Sequence, residues 1–576
     1  MGSKKNGLTR RRFLQQSSHA AAAGVTLASG GSLSAVFGAP SLREGKEVSS
    51  TTGAVATGPP EAARVGARIL QRGGNAMDAA AAACLATCML QPHMVDVGGY
   101  GCCAVVLEGK SRKVWSLDAN AIAPAAASER MFEVLPPAGG AGINEREYAC
   151  RVKDDANVFG PLAVAVPGVM AGIGVLWERW GVLKWPDIVG PSLELLEKGF
   201  PYGPVARDIA SKEAVIRKYQ PTAQHLMPHG KIPKADDRWH RRDMETTLRR
   251  MASAGWQDFY AGELGRTIAD FIGASGGILT RQDIAQYRAR VTDPYAVSYR
   301  KARVYGAVLA NGCLTSLQIL NMLECFEAVP DSSVTYWHRL AEVLKLAWRD
   351  RMLYAADPDA VDVPVERLLS RDYAAGRVEA LRQFPHNVDR VVLPASESPH
   401  GTVHLSAADA QGNVVSVTLT QGGSFGSCVT VPKTGIILGH GMCRLDPRPG
   451  RANSVGPRKR PLNNLAPLLI GLPDRDIAIG VAGGRRIVNV SAEMAQRIVD
   501  YGATPLQSVS APRIHVEVQE PVEITTSAGA SILRDLAALG HEVKAVSSVA
   551  GAASTAEALR DPRQVRAAAN TLAVGA

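Results

Sequence analysis

The chain has few aromatic residues, 5% of its 576, and only nine cysteines, none of them in a CxxC pair. A disulfide framework is therefore not expected in a chain of this length. After the N-terminal segment no stretch of 18 consecutive apolar residues occurs, which predicts that no helix crosses a membrane. The histidines form no HExxH or HxH pattern, and His93, His440 and His515 stand isolated, so neither a metal nor another cofactor is expected.

Acidic residues are absent from the first 38 positions, which carry five of the ten net positive charges. The rest of the chain holds the other five, which gives no electrostatic reason to expect nucleic acid as a partner. Within the first segment, Arg10-Arg11-Arg12 precedes Phe13-Leu14 and a short apolar run at 20–27, the form of a twin-arginine export leader. We expect residues 1–38 to be such a leader and the protein to be periplasmic or extracellular; a disordered basic tail is the alternative.

Two helices are predicted after this segment. Residues 61–71 and 76–90 are separated by a glycine turn, and Asn75 is expected to cap the second helix. Cys84 and Cys88 lie four residues apart in that alanine-rich helix. This spacing predicts that both are small core residues.

The remaining elements suggest a layered fold. Residues 167–384 have a largely helical pattern, and the polar segment 220–241 is interpreted as a surface loop or insertion. The alternation of residues 402–409 and 414–420 around a Gln-Gly-Asn turn predicts a β-hairpin. Strands clustered at both ends of the chain, with helices between them, predict an α+β fold rather than alternating βαβ units.

A series of short motifs runs through the chain in a fixed order. The series consists of Gly73-Gly74-Asn75-Ala76-Met77-Asp78-Ala79-Ala80, Pro92-His93, Gly98-Gly99, Val164-Ala165-Val166-Pro167-Gly168, Gly199-Phe200-Pro201, Asp357-Pro358 with Val363-Pro364, Tyr373-Ala374, Thr402-Val403-His404, Asp409, Gly412-Asn413, Phe425-Gly426-Ser427, Gly435-Ile436, Lys459-Arg460-Pro461-Leu462 and Gly483-Gly484. Together, over roughly residues 50–540, they resemble the γ-glutamyltransferase family.

This resemblance implies a four-layer αββα sandwich of the N-terminal-nucleophile hydrolase type. It also implies a precursor that cuts itself immediately before a threonine. Transferred to this sequence, the cut falls between Gly401 and Thr402. Residues 39–401 would then form a large chain and residues 402–576 a small chain, and the two would stay together as one αββα unit.

The resemblance makes Thr402 the nucleophile. A threonine hydroxyl is poorly reactive at neutral pH, but a cut before Thr402 would add an α-amine with a reference pKa of roughly 7.7–8.0, suited to a general base. The family also keeps a threonine that hydrogen-bonds the nucleophile, here Thr420. Backbone N–H groups of Gly483-Gly484 would bind the oxyanion. His404 is interpreted as a structural residue of its strand.

The residues that bind the glutamyl group in the family are not retained. Asn120 stands in place of an arginine, and Asn463-Asn464 in place of two serines, all of which bind the substrate α-carboxylate. Gly441 and Arg444 replace the amide and acidic residues that hold the α-ammonium, and Gly422 replaces an asparagine. An arginine aimed at an ammonium is a like-charge clash, and an unpaired buried charge costs roughly 3–5 kcal/mol.

We therefore expect a self-processing amidohydrolase or acyltransferase of a divergent branch. Its acyl-enzyme would form on Thr402 and pass the acyl group to water or an amine, and its small amide or peptide substrate would lack the free α-amino-acid head of glutathione. Arg444 would instead face a carboxylate or another anionic acyl group. Glutathione hydrolase activity proper is one alternative, and an exported binding protein on a catalytically dead fold is another. A third is a serine hydrolase elbow at Ser424, in the G-x-S-x-G match at 422–426, but no helix is predicted to follow it.

Overall fold

The computed structural model describes residues 42–136, 148, 150–383, 401–561 and 563–576, so the predicted leader at 1–38 lies outside the described residues. The helices in chain order are α1 (Pro60–Gln71), α2 (Ala76–Leu90), α3 (Val169–Trp180), α4 (Trp185–Lys198), α5 (Pro204–Ile216), α6 (Gln220–Leu226), α7 (Arg242–Ala254), α8 (Glu263–Ala274), α9 (Arg281–Gln286), α10 (Cys313–Glu324), α11 (Val334–Tyr354), α12 (Val365–Leu368), α13 (Arg371–Gln383), α14 (Arg486–Tyr501), α15 (Pro505–Ser510) and α16 (Ala530–Ala538). Across the described ranges, no helix combines the length and apolar character that crossing a membrane requires.

Strands make up the other half of the architecture. In chain order they are β1 (Arg43–Ser50), β2 (Gly53–Thr57), β3 (Gly101–Leu107), β4 (Val114–Asn120), β5 (Val134–Leu135), β6 (Arg151–Val152), β7 (Phe200–Pro201), β8 (Arg238–Trp239), β9 (Arg290–Thr292), β10 (Tyr295–Tyr299), β11 (Ala302–Gly306), β12 (Gly401–Asp409), β13 (Val414–Gly422), β14 (Val429–Val431), β15 (Ile436–Leu438), β16 (Leu468–Gly471), β17 (Arg475–Val481), β18 (Ile514–His515), β19 (Val522–Thr525), β20 (Val543–Val546), β21 (Ala553–Leu559) and β22 (Gln564–Gly575). Helices and strands are thus mixed, as the sequence predicts.

Thirteen of these strands form one antiparallel sheet. Its order is β10-β11-β16-β17-β21-β22-β2-β12-β13-β3-β4-β9, and β1 pairs with β22. The sheet folds back on itself, since Ser416 Oγ on β13 donates to the carbonyl of Ile479 on β17 (2.9 Å). On β12, Ser406 Oγ donates to the carbonyl of Ser554 on β21 (3.2 Å). Strands β12 and β13 are therefore covered on both faces, and all their residues are buried.

The hydrophobic core has two large parts, one on each side of this folded sheet. In the first, Val403 and Leu405 of β12 pack with helices α1 to α4. In the second, Ile470 of β16 and Ile479 of β17 pack with helices α10, α11 and α14. Because side chains alternate along a strand, Val403 and Leu405 face the first group of helices while Thr402 faces the folded-back half of the sheet.

Several predicted elements are present with nearly the predicted bounds. The first two helices begin at Pro60 and Ala76, and Asn75 accepts hydrogen bonds from the N–H groups of the first turn of α2 in a capping box. Cys84 and Cys88 are buried on that helix, and burial raises the pKa of both thiols. The predicted core role of these two cysteines is confirmed.

The prediction of a surface loop or insertion at 220–241 is correct for the largely exposed middle, residues 228–237, and wrong for the two ends. This segment contains helix α6 and strand β8, and its ends are deeply packed. Trp239 stacks on Tyr202, with 4.7 Å between ring centroids. The Arg241 side chain is fully buried and pairs with Asp96 at 2.5 Å. The sequence of the ends gives no local sign of burial, because a polar side chain such as Arg241 pairs with a residue far away in the sequence.

Several strands occur where the sequence pattern gave no strand assignment, β10, β11, β21 and β22 among them. Strands β10 and β11 lie inside the region interpreted as helical, and β21 and β22 form the C-terminal part of the sheet. Strand β22 contains Ala567-Ala568-Ala569, residues of low intrinsic strand preference. They form a strand because this part of β22 is paired on both sides, by β21 and β1, and the small side chains fit the interior.

Candidate active site

The hairpin of β12 and β13 carries the predicted nucleophile. Thr402 lies directly opposite Thr420, and the register is irregular between Gly401 and Thr402. The hairpin turn is held by the carboxylate of Asp409, which accepts hydrogen bonds from two N–H groups of the turn. Asp409 also accepts from the N–H of Ala76 at 2.8 Å, which fixes the hairpin to the start of α2.

Hydrogen bonds link three oxygen atoms at the peptide bond that is predicted to break. These atoms are Oγ1 of Thr402, Oγ1 of Thr420 and the carbonyl oxygen of Gly401. Thr420 Oγ1 donates to the carbonyl oxygen of Gly401 at 2.5 Å and lies 2.9 Å from Thr402 Oγ1. It also accepts from the N–H of Gly422 at 2.9 Å. A hydroxyl has one proton to give. Since Thr420 gives its proton to Gly401, the hydroxyl of Thr402 is the donor in the contact between the two threonines.

His404 lies two residues along β12, on the same face as Thr402. Its Nδ1 is 2.8 Å from Thr418 Oγ1 and its Nε2 is 3.1 Å from Ser406 Oγ. The backbone of Gly480 packs against the ring, where a Cβ would lie 2.3 Å from a ring carbon. Burial lowers the pKa of His404 to about 3. The ring is therefore neutral at physiological pH, which agrees with its interpretation as a structural residue.

A cavity of about 790 Å³ opens onto Thr402, whose side chain is itself almost buried. Three cationic side chains and one carboxylate line it: Lys212, Arg486, Lys544 and Glu523. Glu523 pairs with Arg486 at 2.6 Å and with Lys544 at 3.0 Å. These four groups leave the cavity with an excess of positive charge, which favours an anionic ligand.

The Gly483-Gly484 pair forms the turn from β17 into α14. Both glycines have positive φ values, 147° and 60°, which a residue with a side chain adopts only with strain. Their carbonyls accept hydrogen bonds from the N–H groups of Arg486 and Ile487. Ala482, directly before the pair, and Arg486, two residues after it, both line the cavity that contains Thr402. The predicted oxyanion-binding turn thus lies at the edge of this cavity.

Asn120 lies in the same row of the sheet as the two threonines. Gly101 of β3 pairs with Thr420 on one side and with Asn120 of β4 on the other. At a strand spacing of about 4.8 Å, this row places Asn120 about 14 Å from Thr402. The intervening Gly101 leaves space between them, since a Cβ there would lie 3.5 Å from the Asn120 side-chain oxygen.

The predicted substrate-binding asparagines are engaged within the protein. The amide of Asn120 donates to the carbonyl of Pro461 at 2.7 Å. The side-chain oxygen of Asn463 accepts from a backbone N–H two residues on, and that of Asn464 accepts from Arg351 at 2.8 Å. Neither these asparagines nor the other two predicted substrate-binding residues line the cavity at Thr402.

Gly441 and Arg444 lie close to Asn120 in a short 3₁₀ turn. A Cβ on Gly441 would lie 3.1 Å from the Cβ of Ala121, the residue after Asn120. The Arg444 guanidinium lies over the ring of Tyr100, 5.8 Å from its centroid, and the residue is buried. The structure therefore places the predicted residues away from the cavity at Thr402, with Asn120 three strand spacings from the nucleophile.

His440 is a site residue that the sequence did not indicate. Its Nε2 accepts from the N–H of Gly423 at 2.7 Å, and a Cβ on Gly422 would lie 2.0 Å from the same atom. Burial is the main cause that holds its pKa well below the usual value, and the nearby Arg444 adds to it. The imidazole thus fills the space beside the glycine that replaces the asparagine of the family pattern. No local motif could have revealed this contact, because the two residues are 18 positions apart.

The serine hydrolase alternative finds no support in this geometry. Ser424 Oγ donates to Asp208 Oδ2 at 2.6 Å, so a carboxylate and not a histidine accepts its proton. The chain then turns and enters strand β14 without the helix that such an elbow requires.

Fold and site together define an enzyme of the N-terminal-nucleophile amidohydrolase class. The chain belongs to the γ-glutamyltranspeptidase family: the family model described as Gamma-glutamyltranspeptidase matches residues 62–576. The resemblance noted in the sequence is thereby confirmed.

Similar proteins include both acylases and glutathione hydrolases. The chain is 34% identical to the Acylase ACY 1 proenzyme of Pseudomonas sp. (strain SE83), over 88% of this chain and 90% of that protein. It is 29% identical to the Glutathione hydrolase proenzyme of Bacillus subtilis (strain 168), over 85% of each. Among solved structures, the cephalosporin acylase from Bacillus halodurans matches with a TM-score of 0.80 and 28% identity, covering 92% of this chain and 95% of that one.

Proposed function

We propose that this protein cuts itself between Gly401 and Thr402 and then hydrolyses amides with Thr402 as an N-terminal nucleophile. The observation that carries the proposal is the hydroxyl of Thr420. It donates to the Gly401 carbonyl and accepts from the Thr402 hydroxyl in the uncut chain. The carbonyl to be attacked and the attacking group are therefore already held by one residue.

The cut follows from this arrangement in two steps. Thr402 Oγ1 attacks the Gly401 carbonyl carbon, the peptide C–N bond breaks, and the hydroxyl proton passes to the departing nitrogen. This leaves an ester between Gly401 and Thr402 Oγ1. Water then hydrolyses the ester, which gives Gly401 a carboxylate and Thr402 a free hydroxyl and a free α-amine.

The same hydroxyl then acts on substrate. The new α-amine, with a reference pKa of roughly 7.7–8.0, accepts the proton of the hydroxyl as it attacks an amide carbonyl. Backbone N–H groups of the Gly483-Gly484 turn stabilise the oxyanion, for which their place at the edge of the cavity is suited. The amine product leaves, and water or an amine takes the acyl group from Thr402.

The substrate proposed is an amide of an anionic acyl group without an α-ammonium. Asn120 and Asn464 are occupied by hydrogen bonds within the protein, and Arg444 would repel an ammonium. The excess of cations around the cavity favours a carboxylate. The names of two similar proteins, Acylase ACY 1 and cephalosporin acylase, agree with an acyl group other than glutamyl.

We further infer the organisation of the mature protein. A four-layer αββα arrangement is supported by the two large parts of the core, each of which packs helices against strands of the folded sheet. Residues 39–401 and 402–576 would stay associated after the cut, because strand β12 pairs with β2 of the first segment. The leader at 1–38 would direct export by the twin-arginine route to the periplasm or beyond.

A denaturing gel with mass spectrometry tests the cut. The purified wild type is expected to give bands of about 38 and 19 kDa, in proportion to the 61.0 kDa of the whole chain, and the smaller should begin at Thr402. Thr402→Ala should remain one uncut chain, whereas Thr402→Ser keeps a hydroxyl and should still be cut. Cleavage in Thr402→Ala, or a wild type that stays intact yet hydrolyses amides, would contradict the proposal.

Two matched anilides test the substrate class. Glutaryl-p-nitroanilide and γ-glutamyl-p-nitroanilide differ only in the α-ammonium group of the second. We expect kcat/KM to be roughly a hundredfold or more higher for the glutaryl compound, the equivalent of about 3 kcal/mol for an unpaired buried charge. Efficient turnover of the γ-glutamyl compound would instead favour glutathione hydrolase activity, and turnover of neither amide by cut protein would favour the binding-protein alternative.

A further inference from the structure

A second cluster of reactive side chains lies outside the cavity at Thr402. His338 and Glu342 are one turn apart on α11, and His541 lies between α16 and β20. One ligand atom from each of the three residues can be chosen so that all three atoms lie within 4.8 Å of one another. Two imidazoles and one carboxylate are a common set of protein ligands for zinc.

The distances between these atoms are close to those of a metal site. His338 Nδ1 is 2.9 Å from His541 Nε2, and His541 Nε2 is 3.9 Å from Glu342 Oε1. Ligand atoms at about 2.0–2.1 Å from a tetrahedral ion lie about 3.3 Å apart. These two separations straddle this value and the third is at most 4.8 Å, so side-chain adjustments of an ångström or less would bring the three atoms to the distances of a bound ion.

A second carboxylate orients His541. Glu520 Oε1 lies 2.9 Å from His541 Nδ1, so it holds the Nδ1 proton and leaves Nε2 as the lone-pair nitrogen. A histidine whose other nitrogen donates to a carboxylate is the usual arrangement at zinc centres, because it fixes both the tautomer and the ring orientation. The hydrogen bond between Glu520 and His541 has this arrangement.

Glu342 has one oxygen engaged and one available. Its Oε1 receives the ammonium of Lys345 at 2.7 Å, and the same ammonium reaches Glu520 at 2.5 Å. Among the described residues, Glu342 Oε2 is buried and accepts no hydrogen bond. An unsatisfied buried carboxylate oxygen is costly, and a metal ion would satisfy it. The two carboxylates outnumber the one ammonium, so the local charge also favours a cation.

We propose that His338, Glu342 and His541 bind a divalent ion of the zinc class, with Glu520 as the residue that positions His541. His338 and Glu342 also border a cavity of about 620 Å³, which gives an ion a path of entry. The ligands come from both sides of Thr402, two before it and one after. If the chain is cut as proposed above, the ion links the two fragments; ion binding itself does not depend on the cut.

Metal-stripped full-length protein titrated with Zn²⁺ in a calorimeter tests the site. We expect one tight ion per chain, a rise in the melting temperature with Zn²⁺, and the visible absorption of a four-coordinate ion when Co²⁺ is used. His338→Ala and Glu342→Gln should remove tight binding, and Glu520→Gln should weaken it roughly 10- to 100-fold. His229→Ala changes an exposed histidine elsewhere and should bind as the wild type does.

The variants are also compared without metal, so that a folding defect is separated from the loss of a ligand. Each should show a native circular dichroism spectrum and a cooperative transition, and only the response to Zn²⁺ should differ. The uncut Thr402→Ala chain should bind the ion as tightly as the wild type, which separates this proposal from self-cleavage. Zn²⁺ binding that is weak, or equal in His338→Ala, Glu342→Gln and the wild type, would show that the three residues form only a hydrogen-bond network.

Discussion

At the scale of the residue, the hydroxyl of Thr420 makes three hydrogen bonds in the candidate site. Among the described residues it is the one side chain that donates to the Gly401 carbonyl, and it accepts two hydrogen bonds at the same time. A hydroxyl is the smallest group that can both donate and accept in this way. No side chain that only donates or only accepts could replace it.

Thr420→Val should therefore slow self-cleavage without unfolding the protein. Valine keeps the shape of threonine but leaves the Gly401 carbonyl without this donor, and losing one such donor typically costs about 10²- to 10³-fold in rate. The rate is measured as the disappearance of the full-length band after expression at low temperature. Thr420→Ser retains the hydroxyl and serves as the matched control. Cleavage of Thr420→Val at the wild-type rate would remove Thr420 from the mechanism.

At the scale of the element, the segment at 220–241 supports the hairpin that carries Thr402 and Thr420. Arg241 donates to the carbonyls of Cys88 and Met89 at the end of α2 and pairs with Asp96. The N–H of Asp96 in turn donates to the side chain of Gln421, the residue after Thr420. A continuous set of hydrogen bonds thus runs from β8 to the strand that carries Thr420.

Arg241→Met should destabilise the fold by about 3–5 kcal/mol, because it leaves the buried Asp96 carboxylate without its cation. It should also slow self-cleavage, since Asp96 no longer holds Gln421 in place. Urea unfolding of the uncut chain, on a Thr402→Ala background, measures the first effect. In the double variant Arg241→Met/Asp96→Asn the unpaired charge is gone, so part of the stability should return. If the double variant were less stable than Arg241→Met, the loss would come from packing and not from charge.

This segment also marks the limit of what local sequence could predict. The helices predicted at 61–71 and 76–90 and the β12–β13 hairpin were predictable because their signals are local: a glycine turn between the helices, Asn75 as a cap, and a turn with glycine in the hairpin. Arg241 is paired with a residue 145 positions away, and a polar stretch with distant partners has the same local pattern as an exposed loop. The sequence also did not predict that Lys212, Arg486 and Lys544 line one cavity, because these residues come from distant segments of the chain.

In the candidate site, too, some residues could be predicted from local sequence, whereas contacts between distant segments could not. Thr402 and Thr420 were predictable together, because a hairpin places residues of equal distance from its turn opposite each other. The substitutions at Asn120 and Arg444 could be noted from the motifs, but their partners could not. That Asn120 donates to Pro461, and that His440 occupies the space beside Gly422, depends on segments that meet only in the folded chain.

At the scale of the whole molecule, burial of ionisable side chains sets how stability depends on pH. Burial lowers the pKa of His404 to about 3 and that of His93 to about 4, and it holds the pKa of His440 well below the usual value. In the unfolded chain each would titrate near 6.5. The stability that these neutral histidines contribute is fully present above pH 6.5, and it is lost as the pH falls from 6.5 towards the folded pKa values.

Buried acids act in the opposite direction, and Glu493 is the clearest of them. Burial raises the pKa of Glu493 to about 7, so the folded state prefers the protonated acid. Its unfolded pKa lies near 4.3, and stability from this group is therefore gained as the pH falls from 7 towards 4.3. Between pH 7 and pH 5, His404 and His93 each cost about 2 kcal/mol and Glu493 returns about 2 kcal/mol. His225, whose pKa burial also lowers to about 3, adds to the loss on the histidine side.

The free energy of unfolding should consequently be lower at pH 5 than at pH 7. Urea titrations of the uncut Thr402→Ala chain at the two pH values measure this difference without interference from cleavage. In His93→Gln one of the buried histidines no longer titrates, so the difference should shrink by about 2 kcal/mol. His229→Ala removes an exposed histidine and should leave it unchanged. Equal stability at both pH values would mean that the buried histidines take up protons in the folded protein. The close packing of Gly480 against His404 and of Gly422 against His440 opposes such protonation.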